Sequence, residues 1–220
     1  NNGKQDGFQT EFNSNGITKS ETLYKSGEFA SGPEVDYEMF KMFDDFEKKG
    51  SKKYDHLILG KLNDIASLYQ KGGFDEILVA IGYNNITFRK TIFSTVKEQS
   101  IPVGTFVHPS AYVADSVTIG EGCIVLINCI IEMNTVLHEN IFLSSSCYVS
   151  HDVSIGAHTY CAPSLNIAGN STIGEGCFLG INSTTVNGVR VGNNVITGAG
   201  SVIIKDVPAD VLVAGVPALV

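Results

Sequence analysis

The chain has 220 residues, a net charge of −8 at pH 7, and 43% hydrophobic residues. Such a length suits one large domain or two modest ones, and the hydrophobic fraction is ordinary for a globular protein. The acidic charge argues against generic nucleic-acid binding, and no apolar run reaches the roughly 18 residues of a membrane span.

Residues 1–35 are polar, rich in Gly, Ser, Asn and Thr, and without a regular period. They lack the charged start and apolar core of a signal peptide. We therefore predict an irregular segment over 1–35.

Residues 36–106 alternate apolar runs with amphipathic stretches. DYEMFKMFDDFEKKG (36–50) is predicted to begin as a helix, whereas YDHLILG (54–60) and DEILVAIG (75–82) are predicted to be buried strands. Helical spacing follows each strand, in KLNDIASLYQKGG (61–73) and NITFRKTIFSTVKEQS (85–100). This order predicts a small α/β domain with a parallel sheet. Ligands of such sheets bind at the carboxyl ends of the strands.

A six-residue repeat begins at Val107 and runs to Ile203 without losing its frame. Every sixth residue is aliphatic at fourteen of seventeen positions, and a second series of mostly small residues lies four positions after each. An amphipathic helix does not produce a period of six, which is typical of hexapeptide β-helices. We predict that residues 107–220 form such a β-helix.

Three hexads make a coil of 18 residues, which the alignment of IGEG, LHEN, IGAH, IGEG and VGNN also shows. The residues at the last position of these tetrads tolerate a positive φ, as a sharp corner requires. They are Gly122, Asn140, His158, Gly176 and Asn194. His158 is therefore interpreted as a corner residue in preference to a catalytic one.

The five cysteines all fall on inward positions of this repeat. A buried cysteine behaves as a small hydrophobic residue, and an odd number without a C-x-x-C pair argues against a disulfide framework or structural zinc. The composition is typical of a reducing compartment, so we expect a cytoplasmic protein.

The layout resembles the left-handed β-helix acyltransferases, in the branch of the nucleotide-aminosugar N-acetyltransferases and sialic-acid O-acetyltransferases. The resemblance covers roughly residues 38–220. The motifs that carry it are FDDF (43–46), LVAIGYNN (78–85), HPSA (108–111), SHDVSIG (150–156), AGNSTIGEGCFLGINS (168–183), GAGSVIIKDVP (198–208) and AGVPA (214–218). It implies a left-handed coil, a homotrimer, acetyl-CoA bound between neighbouring β-helices, and a histidine base supported by a carboxylate.

His151 is the candidate base, since no corner rule requires histidine at its position. The 18-residue period places Gly169, Asn187 and Lys205 in successive coils beyond it. A thioester carbonyl could accept the Gly169 N–H, the CoA arm would pass Asn187, and Lys205 could meet a phosphate. Asp152 would orient the His151 ring, although a turn residue is the alternative interpretation of this aspartate. The resemblance adds Gly180 and Ala199 to the acetyl-CoA contacts.

The α/β domain would hold the nucleotide, by the same resemblance. Asp44 and Asp45 are candidates for ribose or base contacts, with a solvated turn as the alternative, and Gly82, Asn84 and Asn85 would line the strand end. We predict acetyl transfer to the amine of a nucleotide-linked amino-deoxysugar.

Three alternatives remain open. They are an O-acetyltransferase acting on a sialic-acid-type sugar, a non-catalytic trimeric scaffold, and a zinc enzyme of the carbonic anhydrase type. The spacing of His138, His151 and His158 disfavours the zinc enzyme, so we expect no metal.

Overall fold

The computed structural model of the chain describes residues 23–24, 41–54, 56–82 and 85–220. A small sheet with helices is followed by a parallel β-helix, which confirms the predicted fold class. No helix within those ranges is long and apolar enough to cross a membrane.

The N-terminal domain is a five-stranded sheet packed against two helices and a 3₁₀ turn. The strands, in chain order, are β1 (Leu23–Tyr24), β2 (Lys41–Phe43), β3 (Lys52–Lys53), β4 (His56–Gly60) and β5 (Leu78–Val79). The 3₁₀ turn is Leu62–Asp64, and the helices are α1 (Ile65–Gln70) and α2 (Ile86–Glu98). The sheet order is β3-β4-β2-β1-β5.

This sheet is mixed, whereas the sequence predicted a parallel one. Strand β2 pairs with β4 in parallel, but β1 lies antiparallel between β2 and β5, and β3 pairs antiparallel with β4. The two antiparallel strands have two residues each, which is too short to show any hydrophobic period. Strands β2, β4 and β5 still run in one direction, so their carboxyl ends share one edge.

The helix predicted to begin in 36–50 is wrong where the structure describes that stretch. Residues Lys41–Phe43 are a strand, and Met42 and Phe43 are fully buried between neighbouring strands. A short apolar run does not distinguish a buried strand from one turn of helix. The other predicted strands and helices of this domain are confirmed.

The α2 helix joins the two parts of the molecule. Its buried side chains are Arg89, Phe93 and Val96. Phe93 packs in the core of the N-terminal domain. Its ring also meets the His158 ring edge-on, with centroids 5.6 Å apart. The helix thus packs against sheet and β-helix together.

The β-helix consists of two-residue strands at the predicted six-residue spacing. The first is β6 (Phe106–Val107). They continue as β7 (Tyr112–Val113), β8 (Thr118–Ile119), β9 (Ile124–Val125), β10 (Ile130–Ile131), β11 (Val136–Leu137), β12 (Phe142–Leu143), β13 (Tyr148–Val149), β14 (Ser154–Ile155), β15 (Tyr160–Cys161), β16 (Asn166–Ile167), β17 (Thr172–Ile173), β18 (Phe178–Leu179), β19 (Thr184–Thr185), β20 (Arg190–Val191), β21 (Ile196–Thr197), β22 (Val202–Ile203) and β23 (Leu212–Val213).

Three parallel sheets form the faces of this prism, and each takes every third strand. The first sheet contains β6 and β9 through to β23, the second β7 through β22, and the third β8 through β20. From Cys123 onward the inward residues pack into one continuous buried core, and those of the first coil, such as Val107 and Val113, are partly buried against it. The last coil departs from the period, because Leu212 pairs with Ile196, 16 residues earlier, where 18 is the rule. The prediction of an unbroken frame to Ile203 is confirmed.

The predicted corners all have a positive φ. Gly122, Asn140, His158, Gly176 and Asn194 have φ between 52° and 74°. His158 is buried, and its Nδ1 lies 2.9 Å from the Asn140 side-chain amide. Burial, with Lys90 nearby, lowers the His158 pKa to about 4. A neutral, enclosed ring fits the corner interpretation.

All five cysteines are free and buried. Burial raises the pKa of Cys123 to about 11 and raises that of Cys161 further. A buried thiol with a raised pKa provides little thiolate, which is the reactive form. Because all five thiols are buried, we expect a chromogenic disulfide reagent to modify them only after denaturation, with no change in stability under reducing agents. Rapid modification of Cys123 and Cys177 in the native protein would contradict the register.

Candidate active site

His151 lies at a corner of the β-helix, between β13 on the second sheet and β14 on the third. The corner is stacked on its neighbours by backbone hydrogen bonds. Asp152 N–H donates to the Met133 carbonyl at 3.0 Å, and Asn170 N–H donates to the His151 carbonyl at 3.0 Å. The side chain of His151 is 45% exposed, so the ring sits outside the core on a rigid support.

Asp152 holds the ring. Its Oδ2 lies 2.8 Å from His151 Nδ1, and its Oδ1 accepts a hydrogen bond of 3.1 Å from the Asn134 side chain. These bonds, first that of His151 and then that of Asn134, lower the Asp152 pKa below its ordinary value. An ionised carboxylate at Nδ1 keeps a proton there and leaves the lone pair on Nε2.

Asp152 is also a turn residue, with φ of 57°. The two interpretations of its sequence position are therefore compatible. The positive φ sets the corner, and the same conformation brings the carboxylate to the ring of the preceding residue.

Gly169 lies against the outer edge of the His151 ring. A Cβ placed on Gly169 would come within 2.8 Å of both Cε1 and Nε2 of His151. A side chain at position 169 would push the His151 ring away, so glycine lets the ring lie here. Within the described residues, the Gly169 N–H has no hydrogen-bond acceptor. A polarised carbonyl beside Nε2 could therefore accept this N–H.

The remaining predicted acetyl-CoA residues lie on two corners. Asn187 and Lys205 are exposed and continue the corner of His151, as Gly188 N–H donates to the Gly169 carbonyl at 2.9 Å. Gly180 and Ala199 instead lie between the first and second sheets. The Gly180 N–H already donates to the Thr197 hydroxyl at 2.8 Å. One chain therefore does not bring all five residues together.

The two predicted nucleotide contacts after β2 differ in accessibility. Asp44 is fully buried, and its carboxylate accepts from Lys53 Nζ at 3.0 Å and from Phe46 N–H at 2.8 Å. Asp45 is exposed and accepts from Leu62 N–H at 2.9 Å. Asp44 thus stabilises the loop after β2 through buried contacts, whereas Asp45 lies on the surface of that loop.

The other predicted contacts follow β5 at the same edge of the sheet. Asn85 caps α2, because its side-chain oxygen accepts from Phe88 N–H at 3.1 Å. Asn85 N–H approaches the Gly82 carbonyl at 3.4 Å. Asn84 lies outside the described residues.

The three histidines of the zinc alternative have separate neighbours. His138 Nε2 lies 3.5 Å from the Ser154 hydroxyl, whereas His151 meets Asp152 and His158 meets Asn140. Among the residues with described positions, no group of three or more His, Cys, Asp or Glu side chains is placed to hold a metal ion.

Two side chains of the site were missed by the sequence analysis, and both lie one coil before His151. Asn134 donates to Asp152, and Glu132 accepts from the backbone N–H of His151 at 3.2 Å. The sequence does hold a signal for Glu132, which is found by comparing the residues that occupy the same position in successive 18-residue coils. Glu132 is an acid where the other coils carry small or apolar residues.

Comparison with known proteins agrees with this architecture. Residues 170–205 match the family model described as bacterial transferase hexapeptide (six repeats). The bifunctional protein GlmU of Streptococcus mutans is 30% identical over 141 residues, 61% of this chain. The chain spans about 30% of the length of that curated relative.

Two solved structures match over a larger share. PerB from Caulobacter crescentus, in complex with CoA and GDP-perosamine, is 30% identical with a TM-score of 0.72, and the match covers 76% of this chain and 79% of that one. A histidine-to-asparagine variant of perosamine N-acetyltransferase from the same organism, in complex with the same molecules, is 28% identical with a TM-score of 0.74. That match covers 78% of this chain and 80% of the other.

The hexad strands, the His151–Asp152 corner and these matches lead to one conclusion. This chain belongs to the hexapeptide-repeat acetyltransferases with a left-handed β-helix, in the branch that contains the nucleotide-aminosugar N-acetyltransferases.

Proposed function

We propose that this chain transfers the acetyl group of acetyl-CoA to the amine of a nucleotide-linked amino-deoxysugar, with His151 as general base. The observation that carries the proposal is the His151 ring, fixed at Nδ1 by Asp152 and packed through its Nε2 edge on Gly169. The similarity to proteins crystallised with CoA and GDP-perosamine supports both substrate classes.

The reaction follows from that geometry. The acceptor amine attacks the thioester carbonyl carbon while His151 Nε2 takes a proton from the nitrogen. The Gly169 N–H stabilises the oxyanion of the tetrahedral intermediate. Collapse breaks the carbon–sulfur bond, and the proton on His151 passes to the departing CoA thiolate. The products are an amide and CoA, and no redox partner is needed.

The carboxyl ends of β2, β4 and β5 are the proposed nucleotide-binding edge. They lie together because the three strands run in one direction. Asp45 is our candidate for the direct contact, since its carboxylate is exposed. Asp44 acts indirectly, because it is buried with Lys53. Gly82 and Asn85 follow β5 at this edge, and Asn84 stays a prediction from the sequence.

We place the catalytic sites between subunits of a homotrimer. The predicted acetyl-CoA residues occupy two different corners of the prism, so His151 of one copy would face Gly180 and Ala199 of the next. Tyr112 and Ile130, outward-facing neighbours on the second sheet, are 61% and 41% exposed and provide an apolar face for such a contact. The free, buried cysteines are compatible with a reducing compartment, so we place the reaction in the cytoplasm.

The deciding experiment measures CoA thiol release with three kinds of acceptor. Amino nucleotide-sugars, a sialic acid and serine are offered side by side with acetyl-CoA. Release with an amino nucleotide-sugar alone is expected. Release with the sialic acid alone would replace the proposal by an O-acetyltransferase, and no release with any acceptor, together with no acetyl-CoA binding, would indicate a scaffold.

Nucleotide binding should be visible without turnover. A nucleoside diphosphate that binds only the folded chain stabilises it by about 2.7 kcal/mol at a hundredfold excess over Kd. We expect guanosine, uridine or thymidine diphosphate to raise the melting temperature, and Asp45→Asn to weaken the rise without affecting acetyl-CoA binding. Asp210→Asn, on the last coil, is the matched control. A flat response to all three nucleotides, beside a clear response to acetyl-CoA, would count against the α/β domain as nucleotide site.

A further inference from the structure

Glu132 is unusual for its place in the repeat. In the 18-residue repeat, Glu132 occupies the position directly before that of His151. The residues at the same position of the other coils are small or apolar: Ala114, Ser150, Ala168, Val186 and Ile204. A solvated corner gives no reason for a carboxylate at this one coil. The reason must lie in what the carboxylate contacts.

The contacts of Glu132 all come from the next coil. Its Oε1 accepts from the Tyr148 hydroxyl at 2.8 Å, and its Oε2 accepts from the Ser150 hydroxyl at 2.8 Å and from His151 N–H at 3.2 Å. These three donors lie on the strand and corner that present the His151 ring. The Tyr148 hydroxyl first, and then that of Ser150, hold the Glu132 pKa below its ordinary value, so the side chain is ionised at neutral pH.

We propose that Glu132 is a positioning residue for His151, holding the backbone of the base in the place where its ring meets Gly169. The inference rests on the proposed function. His151 is fixed at two points, the ring by Asp152 and the peptide by Glu132. The N–H of His151 uses this carboxylate, whereas Ser150 and Asp152 on either side donate to backbone carbonyls.

Loss of this anchor should displace the ring more than it disturbs the fold. The core below the corner does not involve Glu132, because inward aliphatic residues such as Ile131 and Val149 fill it. Without this acceptor, the His151 N–H would form a hydrogen bond to water, and the backbone of the corner would be held less firmly. A misplacement of about 1 Å can cost about 10²-fold in rate, because the base must meet the acceptor proton at hydrogen-bond distance.

The first test is a double-mutant cycle in steady-state acetyl transfer. Glu132→Ala is expected to lower kcat by about 10–100-fold, with KM for acetyl-CoA changed less than about twofold. In a His151→Ala background the same change should have no further effect, because residues acting as one unit are not additive. Full kcat in Glu132→Ala, or an equal loss in both backgrounds, would overturn the proposal.

Two further variants separate the hydrogen bonds from other effects. In Glu132→Gln the amide oxygen can still accept from Ser150 and His151, so kcat is expected within about threefold of the native value. A value as low as that of Glu132→Ala would overturn an anchor made by hydrogen bonds. Glu139→Ala is the matched control, an exposed glutamate of the same coil at another corner, and should leave kcat unchanged.

The second test does not depend on turnover. The His151 ring signal in ¹³C-histidine-labelled protein is assigned by its loss in His151→Ala. It should be single and sharp in the native protein and in Glu132→Gln, and broadened or split in Glu132→Ala. An unchanged signal in Glu132→Ala would refute the anchor even if the chain is an acetyltransferase. A broadened signal in a chain without any acetyl transfer would keep the anchor and refute the function.

Discussion

His151→Ala is expected to lower kcat by about 10²–10⁴-fold, which is the usual contribution of a general base. The ring is half-exposed and outside the core, so the variant should fold and assemble normally. The variant loses the Nε2 lone pair of the imidazole whose Nδ1 faces Asp152, and the atoms nearest to a Cβ placed on Gly169 are those of the lost ring. The measurement is initial-rate CoA release with the best amino nucleotide-sugar.

Controls distinguish the base from its surroundings. His138→Ala removes an exposed imidazole of the same β-helix, whose Nε2 lies 3.5 Å from the Ser154 hydroxyl, and should leave kcat unchanged. Asp152→Asn keeps a residue that tolerates φ of 57° but removes the negative charge and one acceptor oxygen, so its loss of rate reports on the carboxylate and not on the turn. Near-normal turnover by a correctly folded His151→Ala protein would remove the proposed mechanism.

The hexad frame was fully readable from the sequence because each coil repeats a local rule. Inward residues recur every six positions, and corner residues such as Asn140 and Asn194 need a positive φ that few residues tolerate. The pairing of His151 with Asp152 was predictable for the same reason, since the partners are adjacent in the chain. After Ile203 the spacing between paired residues falls from 18 to 16, so the repeat no longer predicts the structure there.

Non-local contacts were beyond the sequence analysis. Strand β1 has two residues and enters the sheet between β2 and β5, which only tertiary packing decides. The aspartates of FDDF look alike in sequence, yet Asp44 is buried against Lys53 and Asp45 is exposed. The role of Glu132 depends on donors up to 19 residues away, on a different coil.

Arg89→Ala is expected to destabilise the protein by about 2–4 kcal/mol. Arg89 is 1% exposed, and its guanidinium donates to the His158 carbonyl at 2.9 Å and the Thr159 carbonyl at 3.2 Å. Its Cζ lies 5.9 Å from the centre of the Phe142 ring. Truncation leaves a cavity between helix and β-helix and removes the side-chain donor from two buried carbonyls.

The next residue provides the matched control. Lys90 forms an ion pair with Glu175 across the same interface, but both side chains are nearly half exposed. Water and salt screen such a pair, so Lys90→Ala should cost less than about 1 kcal/mol. Calorimetric unfolding of both variants compares a buried with an exposed contact on one helix. Equal melting temperatures for the two would show that Arg89 does not hold the α/β domain on the β-helix.

Two substitutions at Arg89 separate its charge from its volume. Burial lowers the Arg89 pKa to about 10, so the group remains a cation at neutral pH, and the described residues give its Nε no hydrogen-bond partner. A buried cation with incomplete partners is costly, and an apolar side chain of similar volume often replaces it without loss. Arg89→Met should therefore recover about half of the stability lost in Arg89→Ala, by filling the cavity. Arg89→Lys keeps the charge, but on a compact and strongly hydrated ammonium that lacks the guanidinium plane beside the Phe142 ring, so we expect it to be less stable than Arg89→Met. If Arg89→Lys were more stable than Arg89→Met, the charge of Arg89 and not its packing would hold the interface together.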